Sequence, residues 1–388
     1  MLRYLRIPPA VVLLAGMGCS TPGPAPETGA SIQEAQPAMP TPVLKAKRTP
    51  IETARYPVVD IHFHGRSLES VDDYQALDAE MDAVGVAAIA SMDGGRSRPL
   101  VDDLQTAAEA GGRVVHFARL DYDGINVEGW SEREAERLRD AFKAGAAGLK
   151  VWKDVGLEFK DLDGAYLHVD DARFDAIWRA CAAAGKPVLV HVSDPPARFQ
   201  PIGPENERYE AGMWRDTEEG NFHGTGVPSV DEILTHRDRM LERHPGTRFI
   251  LAHVASSGWD LDRTSKMLDA YPNAYVEISA RLQELGRQPY TTRRFLMDYQ
   301  ERVLFGSDGV PGREADQFWR PHWRFLETYD EYFDHPAQML SPLGAPLQGR
   351  WKIHGVGLDD EVLRRIYYGN ALELVPALRE VVEQRLGD

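Results

Sequence analysis

The sequence predicts an α/β fold, a closed (β/α)8 TIM barrel, on three observations. Eight short apolar, strand-like runs alternate with amphipathic helical stretches, the pattern of parallel β-α units. Four of those strands end at side chains that bind cations: His62 and His64, then His191, His253 and Asp308. The two longest connections, 193–229 and 309–357, both follow strand ends, on the face where barrels carry their working loops.

The strands are expected at Tyr56–His62, Val86–Ser91, Val114–Arg119, Ala146–Trp152, Pro187–Val192, Arg248–His253, Ala274–Ser279 and Arg302–Gly306. Helices fall between them at Val71–Val84, Pro99–Ala110, Glu132–Ala144, Asp171–Ala184, Val230–His244, Gly258–Ala270 and Thr291–Gln300. A last pair follows at Asp359–Tyr368 and Ala371–Leu386. A doubly wound open sheet is the alternative reading of this alternation. It gives no reason for strands one, five, six and eight to end in ligand-type side chains that converge. Both long loops are rich in aromatic residues, among them Phe199, Tyr209, Trp214, Phe222, Phe318, Trp319, Trp323, Tyr329 and Tyr332, and are expected to wall the mouth.

At 388 residues, with 43% hydrophobic and 27% charged side chains, the chain can bury a large core. A net charge of −16 excludes nucleic acid as a partner and argues against electrostatic docking on anionic lipid. The two cysteines make no disulfide framework. Cys181, among small residues of a helical run, reads as a buried apolar side chain. Cys19 stands differently. Arg3 and Arg6 precede an apolar run, Ile7 to Gly18, too short to span a bilayer. This segment resembles a bacterial lipoprotein signal, although Gly16 stands where that signal usually has leucine. The expected organisation is a signal-like segment over 1–19 with lipidation at Cys19, a Pro/Ala-rich disordered tether over 20–52, and one barrel domain over 53–388. The expected location is the bacterial cell envelope, lipid-anchored, or the exterior by plain secretion; the only membrane contact is the Cys19 lipid.

In Asp60-Ile-His62-Phe-His64, residues two apart on a strand face the same way, so both imidazoles point into the mouth. By itself such a pair is a weak signal; its place at the end of a first barrel strand strengthens it. The runs Val188 to His191 and Phe249 to His253 end core strands in histidine, and Val303 to Asp308 ends the eighth in a carboxylate. A lone strand-end histidine is more often structural, and an aspartate there caps a helix or sits in a loop. Together the five make a metal site.

The set HxH, His, His, Asp after strands one, five, six and eight resembles the amidohydrolase superfamily. The run Leu304-Phe-Gly-Ser-Asp308 and the closing Tyr368-Gly-Asn-Ala371 resemble the amidohydrolase-related branch that includes aminocarboxymuconate-semialdehyde decarboxylase, over residues 55 to 378. That resemblance implies a divalent metal, zinc by preference, held by His62, His64, His191 and Asp308. Lys150, in Gly148-Leu-Lys-Val-Trp, is similar to the lysine that ureases carboxylate to bridge two metals. It either bridges, with His253 completing a binuclear site, or acts unmodified as a cation for an anionic substrate, or is purely structural. Arg281, Trp152 and His223 are candidates for substrate binding, with Lys153 and Asp194 weaker ones.

The function expected is hydrolysis by a metal-activated water of an amide, lactone or other ester of a small molecule, with Asp308 as proton carrier and His253 as its catalytic partner. A metal-dependent decarboxylase acting on a small unsaturated acid uses the same site. From another class comes a catalytically dead barrel serving as a tethered binding lipoprotein. Relatives of this kind often form homo-oligomers.

Overall fold

The structure, a computed structural model, describes residues 42–209, 221–312, 318–335 and 350–387. Cys19, the signal-like segment, most of the expected tether and Trp214 lie outside the described residues. The chain divides into two units, Met1–Lys45 and Ala46–Asp388. Of the first, only 42–45 are described, and they carry no regular structure.

In the second unit the strands are β1 (Val58–Phe63), β2 (Val86–Ser91), β3 (Val114–Arg119), β4 (Gly148–Val151), β5 (Val188–Val190), β6 (Phe249–Leu251), β7 (Ala274–Glu277) and β8 (Val303–Leu304). They form one sheet in sequential order, with each strand parallel to the next. The ring closes where Phe63 bridges Gly309 in parallel and Ile61 N–H donates to Phe305 O at 3.0 Å. This is the expected TIM barrel, and the closure disposes of the open-sheet alternative. Strands β1 and β2 are buried on both faces, which is why they read as near-continuous apolar runs. Alternate residues divide between two clusters: Val59, Ile61, Leu189, Ile250 and Leu304 in one, Val58, Val188, Phe249 and Val303 in the other, packed with the helices.

Helix boundaries follow local chemistry. Helix Val71–Val84 begins at Ser70, whose hydroxyl accepts from Asp73 N–H while the Asp73 carboxylate accepts from Ser70 N–H, and ends at Gly85 with φ 87°. The expected continuous C-terminal helix is broken instead. Asn370–Leu374 and Arg379–Gly387 are separated by a 3-10 turn at Pro376–Leu378, because Pro376 has no N–H to donate and crowds the preceding turn. Among the described residues no helix is long and apolar enough to cross a membrane.

Two further expectations change. The expected tether runs to residue 52, but 46–52 belong to the barrel unit. Thr49 donates through N and Oγ1, each at 2.7 Å, to the fully buried Asp330 carboxylate, and Arg320 Nε reaches Glu52 O at 2.9 Å. A buried carboxylate needs donors, and this stretch of chain supplies them. In the loop after β8, Trp319 and Trp323 are core residues and do not wall the mouth. They belong to the amphipathic segment ending in helix Arg320–Glu327, and their rings pack on Phe63 and Phe305. Cys181 is a buried free thiol, as the sequence suggests.

Arg237, fully buried on helix Val230–Arg243, donates to Ala255 O at 2.7 Å and pairs with Asp238 at 2.6 Å. Arg237→Met leaves that carbonyl unpartnered and is expected to cost about 3 kcal/mol of unfolding free energy, measured by urea titration. A loss below about 1 kcal/mol shows that the turn after β6 does not depend on this arginine.

Candidate metal centre at the barrel mouth

His62, at the end of β1, and His64, just past it, present their rings on one side of the strand, with centroids 5.4 Å apart. Closure of the ring brings Asp308 to them: its N–H donates to His62 O at 2.8 Å, and Oδ1 lies 2.9 Å from His64 Nε2 and 3.6 Å from His62 Nε2. Two ligands on one tetrahedral zinc stand roughly 3.3 Å apart, so this edge has the spacing a small divalent cation needs.

The other face of each imidazole is occupied by a carboxylate that sequence reasoning missed. His62 Nδ1 lies 2.9 Å from Glu277 Oε1, and His64 Nδ1 lies 3.0 Å from Asp93 Oδ2. A carboxylate only accepts, so each Nδ1 carries a proton and each Nε2 keeps its lone pair for the mouth. Glu277 also accepts from His253 N–H at 2.8 Å and Ser279 N–H at 2.6 Å. A signal for Glu277 does exist in the sequence: it is the one charged residue in an otherwise apolar strand. Asp93 follows β2 by two residues and carried no such mark. His62, His253 and Glu277 also group closely enough to suggest a cation site. The contacts there run through the Nδ1 atoms, so that grouping is the hydrogen-bonded back of the centre.

With Nδ1 protonated, His64 Nε2 and Asp308 Oδ1 are two acceptors 2.9 Å apart, and a proton or a metal must lie between them. Burial opposes a charge on His64, yet hydrogen bonds to Asp308 and Asp93 hold its pKa above the usual value. Burial likewise opposes ionisation of Asp308, but the hydrogen bond from His64, foremost among its imidazole neighbours, holds it well below the carboxylate range. Its side chain keeps 32% of its surface open, so it faces the mouth. This donor set fits a divalent cation. Burial also works to raise Glu277, while His62, His253 and Ser279 bring it down to about 2.

His253 is reached by a route the sequence did not suggest. Strand β6 stops at Leu251, and His253, Val254, Ala255 and Ser256 all have φ between 54° and 58°, a left-handed turn of non-glycine residues. Each such residue costs roughly 1–2 kcal/mol. The turn is held by Glu277 on His253 N–H, by Arg237 on Ala255 O, and by Ser256 Oγ accepting from Ser193 N–H at 3.3 Å. His253 Nδ1 donates to Ser279 O at 3.0 Å, leaving the Nε2 lone pair. Burial, then Arg281, lowers its pKa to about 3, so the ring is neutral. His191 lies against His253, with ring centroids 4.4 Å apart, but its Nε2 is 3.1 Å from Ser193 O, and it joins neither group of close ligand atoms.

Lys150 is fully buried on β4, with Nζ 3.2 Å from His62 Nε2, and burial lowers its pKa to about 8. Trp152 packs on His64, ring centroids 5.1 Å apart, with Lys150, Arg96 and Arg119 around its face and a buried Nε1 that has no partner among the described residues. Arg281 is buried after β7 and its charge is felt at His191 and His253. Lys153 and Asp194 pair with each other at 2.6 Å. His223 is exposed and, among the described residues, shares no hydrogen bond or ring contact with the cluster. Gly306, before Asp308, has no room for a side chain: a Cβ there stands 2.7 Å from Glu277 Oε2 and 3.0 Å from His62 Cβ.

The amidohydrolase family model matches residues 55–377. The chain belongs to the amidohydrolase family. A search of the curated proteins finds no match. Among solved structures, this amidohydrolase is similar to a dihydroxybenzoic acid decarboxylase from Polaromonas sp. JS666 with bound manganese, at 17% identity and TM-score 0.47, covering 83% of this chain and 97% of that one. It is similar to 5-carboxyvanillate decarboxylase from Sphingomonas paucimobilis, at 15% identity and TM-score 0.45, covering 82% and 99%. It is also similar to a probable 2-pyrone-4,6-dicarboxylic acid hydrolase from Acinetobacter baumannii, at 10% identity and TM-score 0.43, covering 82% and 99%.

Glu277→Gln and Asp93→Asn should each weaken divalent-metal affinity by about 10–100-fold, read by competition with a chromophoric chelator; unchanged affinity means these carboxylates do not orient the ligands. The amidohydrolase should also carry a pH signature. Glu277, depressed to about 2, contributes stability that is fully present above its ordinary value of 4.5 and is lost as pH falls toward 2. In chelated protein, unfolding free energy should fall through that window, and Glu277→Gln should flatten the fall.

Proposed function

We propose that this amidohydrolase is a metal-dependent hydrolase that cleaves an amide, lactone or other ester bond of a small molecule. The observation that carries this reading is the convergence of His62 Nε2, His64 Nε2 and Asp308 Oδ1 at the open end of the barrel. A divalent cation held by these residues, zinc by its liking for imidazole, supplies Lewis acidity to a water and to the substrate carbonyl. His62 and His64 are kept in their tautomers by Glu277 and Asp93. Asp308, open to the mouth, accepts the proton of the attacking water and returns it to the leaving group. His253 offers its Nε2 to a further cation or to the substrate. Arg281 and Lys150 place positive charge where a substrate carboxylate binds. Lys150, lowered to about 8, also has amine available to take up carbon dioxide as a carbamate, which would add a carboxylate-type ligand for a cation.

A second reading, decarboxylation of a small unsaturated acid, is favoured by one observation: the indole of Trp152 is ringed by Lys150, Arg96 and Arg119, a setting suited to a flat anion. Product analysis separates the two. Lactones, amides and esters, then unsaturated and aromatic acids, are offered to metal-loaded protein. Hydrolysis products without carbon dioxide support the first reading, and stoichiometric carbon dioxide supports the second.

Asp308→Asn is expected to keep most of its metal while kcat falls about 10²–10⁴-fold, because the proton carrier is gone. Near-normal turnover in that variant ends the proton role assigned to Asp308.

A further inference from the structure

The loop after β2 carries Asp93-Gly-Gly-Arg96, a tight turn closed by Arg96 N–H donating to Asp93 O at 3.0 Å. Gly95 has φ 76°, and Gly94 has no room for a side chain, since a Cβ there stands 2.5 Å from Phe117 O. Gly95 N–H donates to Asp103 Oδ2 at 2.8 Å, which pins the turn to helix Leu100–Glu109. Across this turn the two end residues meet side chain to side chain: Arg96 Nη1 donates to Asp93 Oδ1 at 3.0 Å.

Each oxygen of the Asp93 carboxylate then has its own donor. Oδ2 takes the His64 Nδ1 proton at 3.0 Å, and Oδ1 takes Arg96. Among the described residues Oδ1 has no other donor. The Asp93 side chain keeps 1% of its surface against 38% for Arg96, so water reaches the guanidinium but barely the carboxylate. A buried carboxylate oxygen stripped of its donor is costly, and it regains one only by turning, which takes the support from His64. Arg96 reaches His64 by a second route. Its guanidinium carbon lies 5.8 Å from the Trp152 ring centre, and that indole packs on the His64 ring.

We propose that Arg96 is a positioning residue for the metal: it holds Asp93 so that Asp93 fixes the tautomer and the ring angle of His64. The inference rests on His64 being a metal ligand, and extends that reading one layer outward, from His64 through Asp93 to the open rim. Its sign is opposite to that of plain charge. A guanidinium beside a cation site repels the cation, so deleting it tightens metal binding if Coulomb force is its only effect. Acting through Asp93, its deletion loosens metal binding instead.

The test uses the full chain, stripped by chelation and titrated with Zn2+ alone against a chromophoric competitor. Arg96→Met keeps an apolar stem against Trp152 and removes the charged donor. Zinc affinity should fall about 10-fold, the lower end for an outer-layer partner. Arg96→Lys keeps one charged donor and should restore most of that loss. In an Asp93→Asn chain, adding Arg96→Met should weaken binding no further, because the carboxylate through which it acts is gone. Unchanged or tighter zinc binding in Arg96→Met overturns the proposal. So does equal weakening with and without the Asp93 carboxylate, the result a general loss of structure gives. His64→Ala separates this inference from the metal reading. If His64→Ala leaves zinc affinity unchanged, both fall; if it lowers affinity and Arg96→Met does not, the positioning role alone falls. Should Arg96→Met fail to fold, the same sign is read on Arg96→Gln: weaker zinc binding supports the role, and unchanged or tighter binding overturns it.

Discussion

The buried carboxylate of Asp60 ties the two ends of the barrel together. It accepts from His62 N–H at 3.2 Å on its own strand, from Ser307 N–H at 3.0 Å and Ser307 Oγ at 2.5 Å beyond β8, and from Trp319 Nε1 at 2.7 Å in the following loop. Burial pushes its pKa up to about 7 despite these four donors, which shows how large the desolvation is that they offset. The residue after Ser307 is Asp308, with φ 61°. The clamp thus sets both where strand one meets strand eight and where the site carboxylate points.

Strain concentrates where chemistry is expected. Left-handed non-glycine residues stand after β6 (His253 to Ser256), after β7 (Ala280) and after β8 (Asp308), at the ends of three consecutive strands. A flexible scaffold would relax such a backbone. Here fully buried Glu277 and Arg237 hold the turn after β6, so His253 arrives at a fixed angle without regular structure of its own.

Charge around the mouth runs against the charge of the whole. The chain carries −16, yet Lys150, Arg96, Arg119 and Arg281 gather at the open end with Trp152 among the first three. The carboxylates of Glu277 and Asp93 lie behind the histidines, on their Nδ1 side. Such a division of charge is what the proposed chemistry calls for, a cation at the histidines and an anion approaching it.

Amino-acid order alone was enough for the barrel, because strands buried on both faces must be apolar and helices between them must be amphipathic; all eight strands and the helix Val71–Val84 are where periodicity places them. It was also enough for the ligand types, since His62 and His64 share a face by the period of a strand, and Asp308 follows an apolar run. Tertiary structure decided what depends on long-range contact. Glu277 and Asp93 act on histidines 215 and 29 residues away, a relation no local pattern encodes. The left-handed path of His253, the turning of His191 Nε2 to a backbone carbonyl, the recruitment of Thr49 by Asp330 and of Trp319 by Asp60 all answer the needs of buried polar atoms. A linear sequence shows which groups carry charge; only folding shows which of them lose water, and that loss chooses their partners.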